Sequence, residues 1–432
     1  MASFSIPLTG LKADSTALNT IANNLANMNT TAFKSQSTSF SDLFYQQIGT
    51  TGAGDPVAVG AGVKVAANQI SFAQGSINST SQPTDIALDG SGFFVVSNRG
   101  SGYEYTRAGN FSIDTNGDLV TAAGLNVMGY PAVNGVVNTN APLTAMNLPI
   151  GQVQAPRATT SLSLTGNLNA AATTVPPTSF PAQITVYDSL GVPHTATITF
   201  TQASTALQPN TWDYSISLPA SDYNGAAPAA ITGALGFDNS GNLATVTPGG
   251  GATSVVGLAP GDVSQLALNF AGLADGAADL TMQWNLLGSG GAPTITQVDT
   301  ASAFPQTLQD GYASGEYQGF SVGADGTITA SYSNGKSQNI GQLALADVPN
   351  EQGLQLLGDG NYGTTSASGT ASIATSGTSG LAKIQGGALE ASNVNISSEF
   401  SNLIIAQRAF EANAKSVTTF DTVTQDTINM VH

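Results

Sequence analysis

The chain has 432 residues, 41% of them apolar, which is enough to bury cores in roughly two to four domains and argues against wholesale disorder. Its net charge is −17, and no Lys or Arg occurs between Arg157 and Lys336, which excludes the cationic surface that nucleic-acid binding needs and predicts a solubilising acidic exterior. The absence of cysteine excludes disulfides, thiolate metal sites and thiol nucleophiles.

The N-terminal stretch predicts a helix and lacks the pattern of a secretory leader. No basic segment followed by an apolar core and a cleavage site occurs there, so no cleaved signal peptide is expected, and another route must carry the protein if it leaves the cell. No run of 18 apolar residues occurs, which predicts no membrane insertion. Gly and Pro are absent from Leu11 to Ile48, which allows a long helix. The apolar stripe assigned to a subunit interface consists of Leu11, Leu18, Ile21, Leu25 and Met28.

Five asparagines crowd this first helix between Asn19 and Asn29, although Asn is a poor helix former. Amide side chains on several faces would suit polar surfaces of neighbouring copies or an aqueous channel. They would suit equally a solvated helix that ends in an Asn-rich cap. The cluster by itself leaves both interpretations open.

The segment after the first helix, residues 49–62, is rich in glycine and contains one proline. This composition is typical of a flexible linker, and we expect the segment to act as a compliant hinge. The glycines assigned to the hinge are Gly49, Gly52, Gly54, Gly60 and Gly62.

The middle of the chain predicts β-structure, because short alternating runs are separated by Gly, Asn-Gly and Asp-Gly turn signals. Hairpins are expected around the turns at 89–92, 116–117, 188–193 and 334–335. Further strands are expected at 214–218, 266–270 and 280–286. Loops rich in Gly, Ala and Pro are expected at 222–235, 247–262 and 287–293.

The stretch from Ala388 to His432 contains neither Gly nor Pro and has the clearest helical pattern. Apolar residues recur every seven positions from Ile396 to Val431, which predicts a helix about 54 Å long with a narrow apolar seam. Such a seam must be buried against another helix, and the pattern leaves open whether that helix belongs to the same chain or to a neighbour. The residues assigned to a subunit interface are Ile396, Phe400, Leu403, Phe410, Val417, Phe420 and Ile428.

The order of elements is therefore helix, β-structure, helix. We predict an α+β fold in which the N- and C-terminal helices pair as a coiled-coil-like domain around a mainly-β centre.

The histidines and acidic turns predict no catalytic constellation. His194 follows a proline, and a turn histidine explains it better than a Ser-His-Asp arrangement, while His432 is the last residue. The run from Asp114 to Asp118 resembles the start of a calcium loop, but Leu125 stands where the bidentate Glu belongs, so an Asx-bonded hairpin turn is expected. We predict no catalytic residue, no cofactor and no metal site, and we do not expect an enzyme.

Several stretches resemble the signatures of the flagellar rod and hook protein family, and they occur in the family's order. These stretches are Asn23–Lys34, Asp89–Val96, Tyr105–Phe111, Gly387–Asn395 and Ala406–Ala414. A long insertion between about residues 160 and 300, carrying Ile184–Gly191, resembles the hook-type members. Two departures are mild: Ala32 stands where the family often has Gly, and Phe410 stands where Tyr is frequent.

The resemblance implies two mainly-β domains nested between the terminal helices. Residues 1–75 with 388–432 would form an inner helical polymerisation domain that includes the hinge at 49–75. Residues 76–159 with 301–387 would form a middle β domain, and residues 160–300 an outer β domain. The implied function is a structural subunit that polymerises into a curved, flexible tube, joins rod to filament and transmits torque as a universal joint.

The resemblance also implies partners and a location. The first partner is the chain itself in a helical homopolymer. The others are the distal end of the rod, the hook cap, the hook–filament junction proteins and the flagellar type III export apparatus, with an extracellular location in the hook. The alternatives are another axial protein, such as a distal rod subunit, and a secreted β-rich adhesin.

Overall fold

A computed structural model describes residues 5–44, 46–50, 56–98, 102–203, 210–249, 251–259, 262–378 and 380–430. A helix lies at each end of this described chain and β-strands lie between them, which confirms the α+β fold.

Helices and strands are numbered in chain order. Up to residue 154 they are α1 (Ser5–Ala26), β1 (Gln36–Asp42), β2 (Gln46–Thr50), β3 (Pro56–Val59), β4 (Val63–Ile70), β5 (Ile77–Ser79), β6 (Ile86–Asp89), β7 (Phe93–Ser97), β8 (Tyr103–Thr106), β9 (Ser112–Ile113), β10 (Leu119–Val120), β11 (Asn126–Val133), β12 (Val136–Val137), β13 (Thr144–Ala145) and β14 (Val153–Gln154). The next are β15 (Ser161–Asn169), β16 (Ser179–Tyr187), β17 (Pro193–Gln202), β18 (Thr211–Ser217), the 3₁₀ helix η1 (Ala220–Asp222), β19 (Ile231–Phe237), β20 (Leu243–Pro248), β21 (Ser254–Val255), β22 (Gln265–Phe270), β23 (Leu280–Asn285), β24 (Ile295–Val298), β25 (Ala303–Gln309) and β26 (Gly315–Val322). The last are β27 (Thr327–Tyr332), β28 (Ser337–Asp347), the 3₁₀ helix η2 (Glu351–Gly353), β29 (Gln355–Gly358), β30 (Asn361–Gly363), β31 (Ser372–Thr375), β32 (Lys383–Gly386), β33 (Ala388–Glu390) and α2 (Ile396–Met430).

The chain divides into two compact units. Unit 2 comprises Gly151–Tyr317 and Tyr332–Lys336, and unit 1 comprises the rest of the chain. Unit 2 therefore extends beyond both ends of the outer domain expected at 160–300. The finer division of unit 1 into an inner and a middle domain stays a prediction.

Unit 1 is built on a sheet whose neighbouring strands include β27-β28-β11-β7-β8-β30-β29. Every residue of β7 is buried, because its two faces contribute to two different cores. Phe94 and Val96 pack into one apolar cluster, and Phe93 and Val95 pack into the other. A strand covered on both faces needs an uninterrupted apolar run, which explains the sequence of β7.

Unit 2 contains two sheets that share one apolar core. One is the antiparallel order β16-β17-β18-β19-β20-β21, and the other is β22-β23-β15-β24 with β25 also paired to β15. Alternate residues of each strand face the core, such as Ile198 and Phe200 from the first sheet and Leu268 and Trp284 from the second. This alternation is the pattern of strands with one face covered and one face in water.

Three of the expected hairpins are confirmed. Strands β9 and β10 pair around the Asn-Gly turn at 116–117, β16 and β17 pair around 188–193, and β27 and β28 pair around 334–335. In the first turn the carboxylate of Asp114 accepts hydrogen bonds from the N–H groups of Asn116 and Asp118, both at 2.8 Å. This is the Asx bonding expected there.

The hairpin expected at 89–92 is wrong. Strand β6 pairs with β32, whereas β7 pairs with β8, β11 and β28. The N–H of Gly90 donates to Gln74, and the carbonyl of Gly90 accepts from Arg107. Side chains from other segments therefore form the hydrogen bonds of this connection, in place of a hairpin partner. Gly90 has φ of 121°, a conformation that glycine adopts at little cost.

The first helix is shorter than its Gly- and Pro-free stretch allows. It ends at Ala26, and residues 36–42 form β1, which pairs with β4. Asparagines at 23–29 favour turns over helix, and Ala32 then adopts a φ of 54°, outside the helical range. The N–H of Ala32 donates to the carbonyl of Glu390 at 2.8 Å, which fixes the turn from the other end of the chain.

Two of the expected loops contain strands. β19 lies partly within 222–235, and β20 and β21 overlap 247–262. Gly233 faces Tyr214 on the neighbouring strand, where an added Cβ would collide with the phenol hydroxyl. This glycine therefore serves close packing in a sheet and not loop flexibility.

His194 is not a turn residue. It is the second residue of β17, and its ring is buried within hydrogen-bonding distance of two aspartates. The strand begins at Pro193, so the turn ends one residue earlier than expected.

Candidate polymerisation surface

The two terminal helices pair with each other in antiparallel orientation. Near one end of the pair, the amide of Asn24 on α1 donates to Glu399 on α2 at 3.3 Å. Near the other end, the amide of Asn413 donates to Asp14 at 2.8 Å. A Cβ added at Gly10 would lie 2.7 Å from the Asn413 side-chain nitrogen, so the helices approach closely where α1 has no side chain. In the described residues, neither helix combines the length and apolarity needed to cross a membrane.

The predicted interface residues divide into two groups. The half-buried group consists of Leu11, Leu18, Ile21, Leu25, Leu403, Val417 and Phe420. The exposed group consists of Met28, Ile396, Phe400, Phe410 and Ile428. The paired chain therefore uses part of each predicted seam within itself and leaves another part uncovered.

Further large apolar residues of the two helices are exposed in the structure, although they lie outside the predicted seams. Ile405 is 66% exposed and Ile404 is 51% exposed, although both are large aliphatic residues. The other additions on the two helices are Ile6, Leu8, Val423 and Met430. A signal was present in the sequence, because the consecutive residues 403–405 are all aliphatic and cannot all face one partner on a helix.

The length difference between the helices explains part of this exposure. α1 has 22 residues and α2 has 35, which correspond to about 33 Å and about 52 Å. Every residue of α2 from Asp421 to Met430 is exposed. The last turns of α2 thus extend beyond the part of the helix that α1 covers.

The asparagine cluster of α1 has a clear role within the chain at one position. Asn24 is fully buried, its amide donates to the carbonyl of Gln36 at 2.7 Å, and its carbonyl oxygen accepts from the N–H of Gln36 at 2.9 Å. These two bonds tie the end of α1 to the start of β1. Asn19, Asn23 and Asn29 are exposed.

A buried group of charges lies where the segments next to the two helices meet. Lys34 Nζ is 2.7 Å from Glu390 Oε1, and Arg107 Nε is 3.8 Å from Glu390 Oε2. Glu390 Oε1 also accepts a hydrogen bond from the N–H of Gly75, and Lys34 Nζ donates to the carbonyl of Ala73. Burial holds the pKa of Lys34 and the pKa of Arg107 below their ordinary values, although Glu390 opposes both shifts.

This cluster gives a physical reason for three of the signature stretches. Lys34 ends the first stretch, Arg107 lies in the third, and Glu390 lies in the fourth. Their charges meet in a site that is closed to solvent, and each offsets part of the desolvation cost of another. The stretches thus hold the N-terminal segment, the sheet and the approach to α2 together.

The described glycines of the predicted hinge lie in or next to paired strands. β2 and β3 pair with each other, and the N–H of Leu43 donates to the carbonyl of Gly62 at 2.9 Å. Gly49 lies in β2 opposite Val57, and Gly60 lies just after β3. Gly52 and Gly54 lie outside the described residues. Whether the segment is compliant stays a prediction.

Family models match four parts of the chain. "Flagella basal body rod protein" matches residues 7–34, and "Flagellar hook protein FlgE/F/G D1 domain" matches residues 87–169. "Flagellar basal body protein FlaE D2 domain" matches residues 167–312, and "Flagellar basal body rod FlgEFG protein C-terminal" matches residues 385–430. The first of these covers most of α1, and the last covers all of α2.

Similar proteins match along nearly the whole chain. The flagellar hook protein FlgE of Treponema pallidum is 34% identical, and the alignment covers 98% of each chain. The flagellar hook protein FlgE of Escherichia coli K12 is 33% identical, with 99% of each chain covered.

A solved structure shares the fold at low sequence identity. The crystal structure of the Helicobacter pylori flagellar hook protein FlgE2 superposes with a TM-score of 0.52 at 13% identity, covering 71% of this chain and 99% of that one. The two relatives, which align over almost their full length, decide the assignment. This chain belongs to the family of flagellar hook proteins.

Proposed function

We propose that the chain is the structural subunit of a bacterial flagellar hook and polymerises through α1 and α2 into a curved, flexible tube. The tube joins rod to filament and transmits torque. The observation that carries the proposal is the set of large apolar side chains left exposed on α2, including Ile404 and Ile405, while another part of the same helix packs on α1.

Exposed apolar area of this kind favours association. A helix with apolar residues on two faces buries both only when a second helix supplements the first. Further copies of the chain offer the same helices, so repeated contacts of one type generate a helical polymer. This arrangement allows both kinds of pairing left open by the seam pattern, within the chain and between chains.

The remaining assignments follow from the hook function. The subunit meets the distal end of the rod, the hook cap and the junction proteins, and it leaves the cell through the type III export apparatus without cleavage of a leader. It works as a structural element and not as an enzyme. Compliance in residues 49–62 would let neighbouring copies change their spacing as the tube bends.

An exposed-face substitution tests the proposal. We expect Ile404→Asp to prevent hook formation in a strain lacking the native gene, because the charge must be desolvated in every subunit contact. Electron micrographs should then show basal bodies without hooks, while the variant accumulates as monomer in the medium. Secreted monomer distinguishes failed assembly from failed export.

The matched control is Ala227→Asp, an exposed position in unit 2 that receives the same charge. We expect hooks of normal length and curvature from this variant. Normal hooks from Ile404→Asp would contradict the proposed role of the α2 surface.

A further inference from the structure

Three carboxylates from three segments of unit 2 converge around the ring of His194. Asp188 lies in the turn between β16 and β17, Asp222 ends η1, and Asp275 lies in the connection between β22 and β23. Main-chain bonds hold these segments together, since Ala274 donates to the carbonyl of Asp222 at 2.9 Å. None of these groups has a role in the polymerisation surface.

The two ring nitrogens of His194 face different carboxylates. Nδ1 is 2.8 Å from Asp222 Oδ2. Nε2 is 3.3 Å from Asp188 Oδ2 and 3.7 Å from Asp275 Oδ2. A proton on Nδ1 that is donated to Asp222 leaves Nε2 with a lone pair directed toward the other two carboxylates.

Asp188 is held in a fixed position. It is 0% exposed, and its Oδ1 accepts from the N–H groups of Leu190 and Val192, both at 2.8 Å. Its second oxygen, Oδ2, is therefore the one that faces His194. The side chain of Asp275 is 23% exposed, so the cluster opens to solvent on that side.

The charges of His194 and its three carboxylates do not balance one another. Burial lowers the pKa of His194, but hydrogen bonds to Asp222 and Asp188 outweigh burial and raise it. Even a protonated imidazole leaves three carboxylates with one positive charge. The sequence contains no Lys or Arg between Arg157 and Lys336, so no side chain of this region can supply the missing cation.

We propose that His194 Nε2, Asp188 Oδ2 and Asp275 Oδ2 bind one divalent transition-metal ion, with Zn²⁺ the best match. These three ligand atoms lie within 4.8 Å of one another. Tetrahedral Zn²⁺ with ligands at about 2.0–2.2 Å places them about 3.3–3.6 Å apart, close to the two distances from Nε2. A nitrogen ligand favours Zn²⁺ over Ca²⁺, which takes about six to eight oxygens.

Asp222 would be the positioning residue of this site. A metal-binding histidine generally donates its other N–H to a carboxylate or carbonyl, which orients the ring and raises its basicity. The 2.8 Å contact at Nδ1 provides this arrangement. The bound ion would join the β16–β17 turn to the β22–β23 connection and add a cross-link to a unit that has no disulfide.

Titration of the full-length monomer tests the site. After treatment with a chelator and dialysis, calorimetry with ZnCl₂ at pH 7.5 should show one Zn²⁺ bound per chain, and CaCl₂ should show no comparable binding. We expect Asp275→Asn, at an exposed position, to weaken Zn²⁺ binding at least about 10-fold, and Asp222→Asn to weaken it about 10- to 100-fold. Asp238→Asn, an exposed turn aspartate of the same unit, should bind as the wild type does.

Three further measurements separate this site from adventitious binding. His432→Gln removes the other imidazole of the sequence and should leave Zn²⁺ affinity unchanged. Co²⁺ should give the visible absorption of a tetrahedral site in the wild type, and this absorption should be lost in a folded His194→Gln variant. Affinity should fall on acidification from pH 7.5 to 5.5, because the ligands must lose their protons.

The proposal is overturned if the wild type shows no saturable Zn²⁺ binding, or if Asp275→Asn binds Zn²⁺ as tightly as the wild type. Loss of binding in His432→Gln, or binding of Ca²⁺ in preference to Zn²⁺, would overturn it as well. Each of these results is independent of whether the chain forms hooks.

Discussion

Glu390 is a fully buried carboxylate contacted by cations from two distant parts of the chain. Lys34 and Arg107 are separated from it by hundreds of residues in sequence, yet their side chains are also closed to solvent. Buried charges are tolerated when they are paired and hydrogen-bonded. Removing the Glu390 carboxylate would therefore lower stability mainly because Lys34 and Arg107 would stay buried without the group that contacts them.

We expect Glu390→Gln to lower the free energy of unfolding of unit 1 by about 3–5 kcal/mol, because it removes the carboxylate that contacts two buried cations. Amide hydrogen exchange along β6 and β7 measures this change. The control is Glu411→Gln, at an exposed position of α2, which should change exchange by less than about 0.5 kcal/mol. A loss below about 1 kcal/mol in Glu390→Gln would show that the cluster is not a structural clamp.

The two departures from the family pattern have different consequences in the structure. Ala32 has a φ of 54°, a conformation that glycine adopts more easily, which explains a family preference for Gly there. Phe410 is partly exposed on α2, and nothing in the structure explains a preference for Tyr there.

The C-terminal helix α2 has little cover within the chain for its length. Ala406 is the single buried position among the described residues of α2, and the last turns of that helix are exposed throughout. Isolated helices are marginal in water unless tertiary contacts stabilise them. In the proposed polymer, contacts with other subunits would supply the stabilisation that the chain itself does not give α2.

We expect the free monomer to contain less helix than α1 and α2 together would give, and helix content to rise on polymerisation. Circular dichroism of the same preparation before and after assembly measures the difference. Under the same conditions Ile404→Asp, which should stay monomeric, provides the control and should show no rise. Equal helicity in monomer and polymer would mean that the helices are already stable alone.

The whole molecule contains separate apolar cores in its two units. The core of unit 2 includes Trp212 and Trp284, the two tryptophans of the chain, while unit 1 has two clusters on opposite faces of its main sheet. A unit with its own core can keep its stability when the other is weakened. Tryptophan fluorescence therefore reports unit 2 alone.

We expect the two units to respond independently to core mutations. Ile198→Ala, at a fully buried position of β17, should lower the stability that tryptophan fluorescence reports by about 2–4 kcal/mol in urea. The same substitution should leave amide exchange along β7 unchanged. Glu390→Gln should speed amide exchange along β7 and leave the stability that tryptophan fluorescence reports unchanged. A parallel loss of both signals in either variant would indicate one cooperative unit.

Much of the fold could be predicted because its signals are local. The C-terminal helix was expected from Ile396 to Val431 and is observed from Ile396 to Met430, since a long stretch without Gly or Pro and with a seven-residue repeat has few alternatives. Three hairpins followed from turn chemistry for the same reason. The candidate interface was predicted in part, because an apolar stripe shows which side chains need cover but not which partner covers them.

Pairings between distant segments were not predictable in this way. β15 pairs in parallel with β23 and β24, more than a hundred residues away, and no local pattern specifies such a register. The turn at 89–92 has the composition of a hairpin turn, but β6 pairs with β32 instead of β7. Likewise, the sequence shows Asp188, Asp222 and Asp275 as ordinary surface acids, and only folding places them around His194.

By itself, the sequence determined the helix–β–helix order, the apolar seams at both ends and the excess of negative charge. These properties depend on residue type and spacing along a few turns or one strand. Tertiary structure alone decided which part of each seam is covered within the chain, where the signature charges meet and what surrounds the buried imidazole. The reason is that burial and charge pairing depend on contacts between residues far apart in the chain, which periodicity cannot encode.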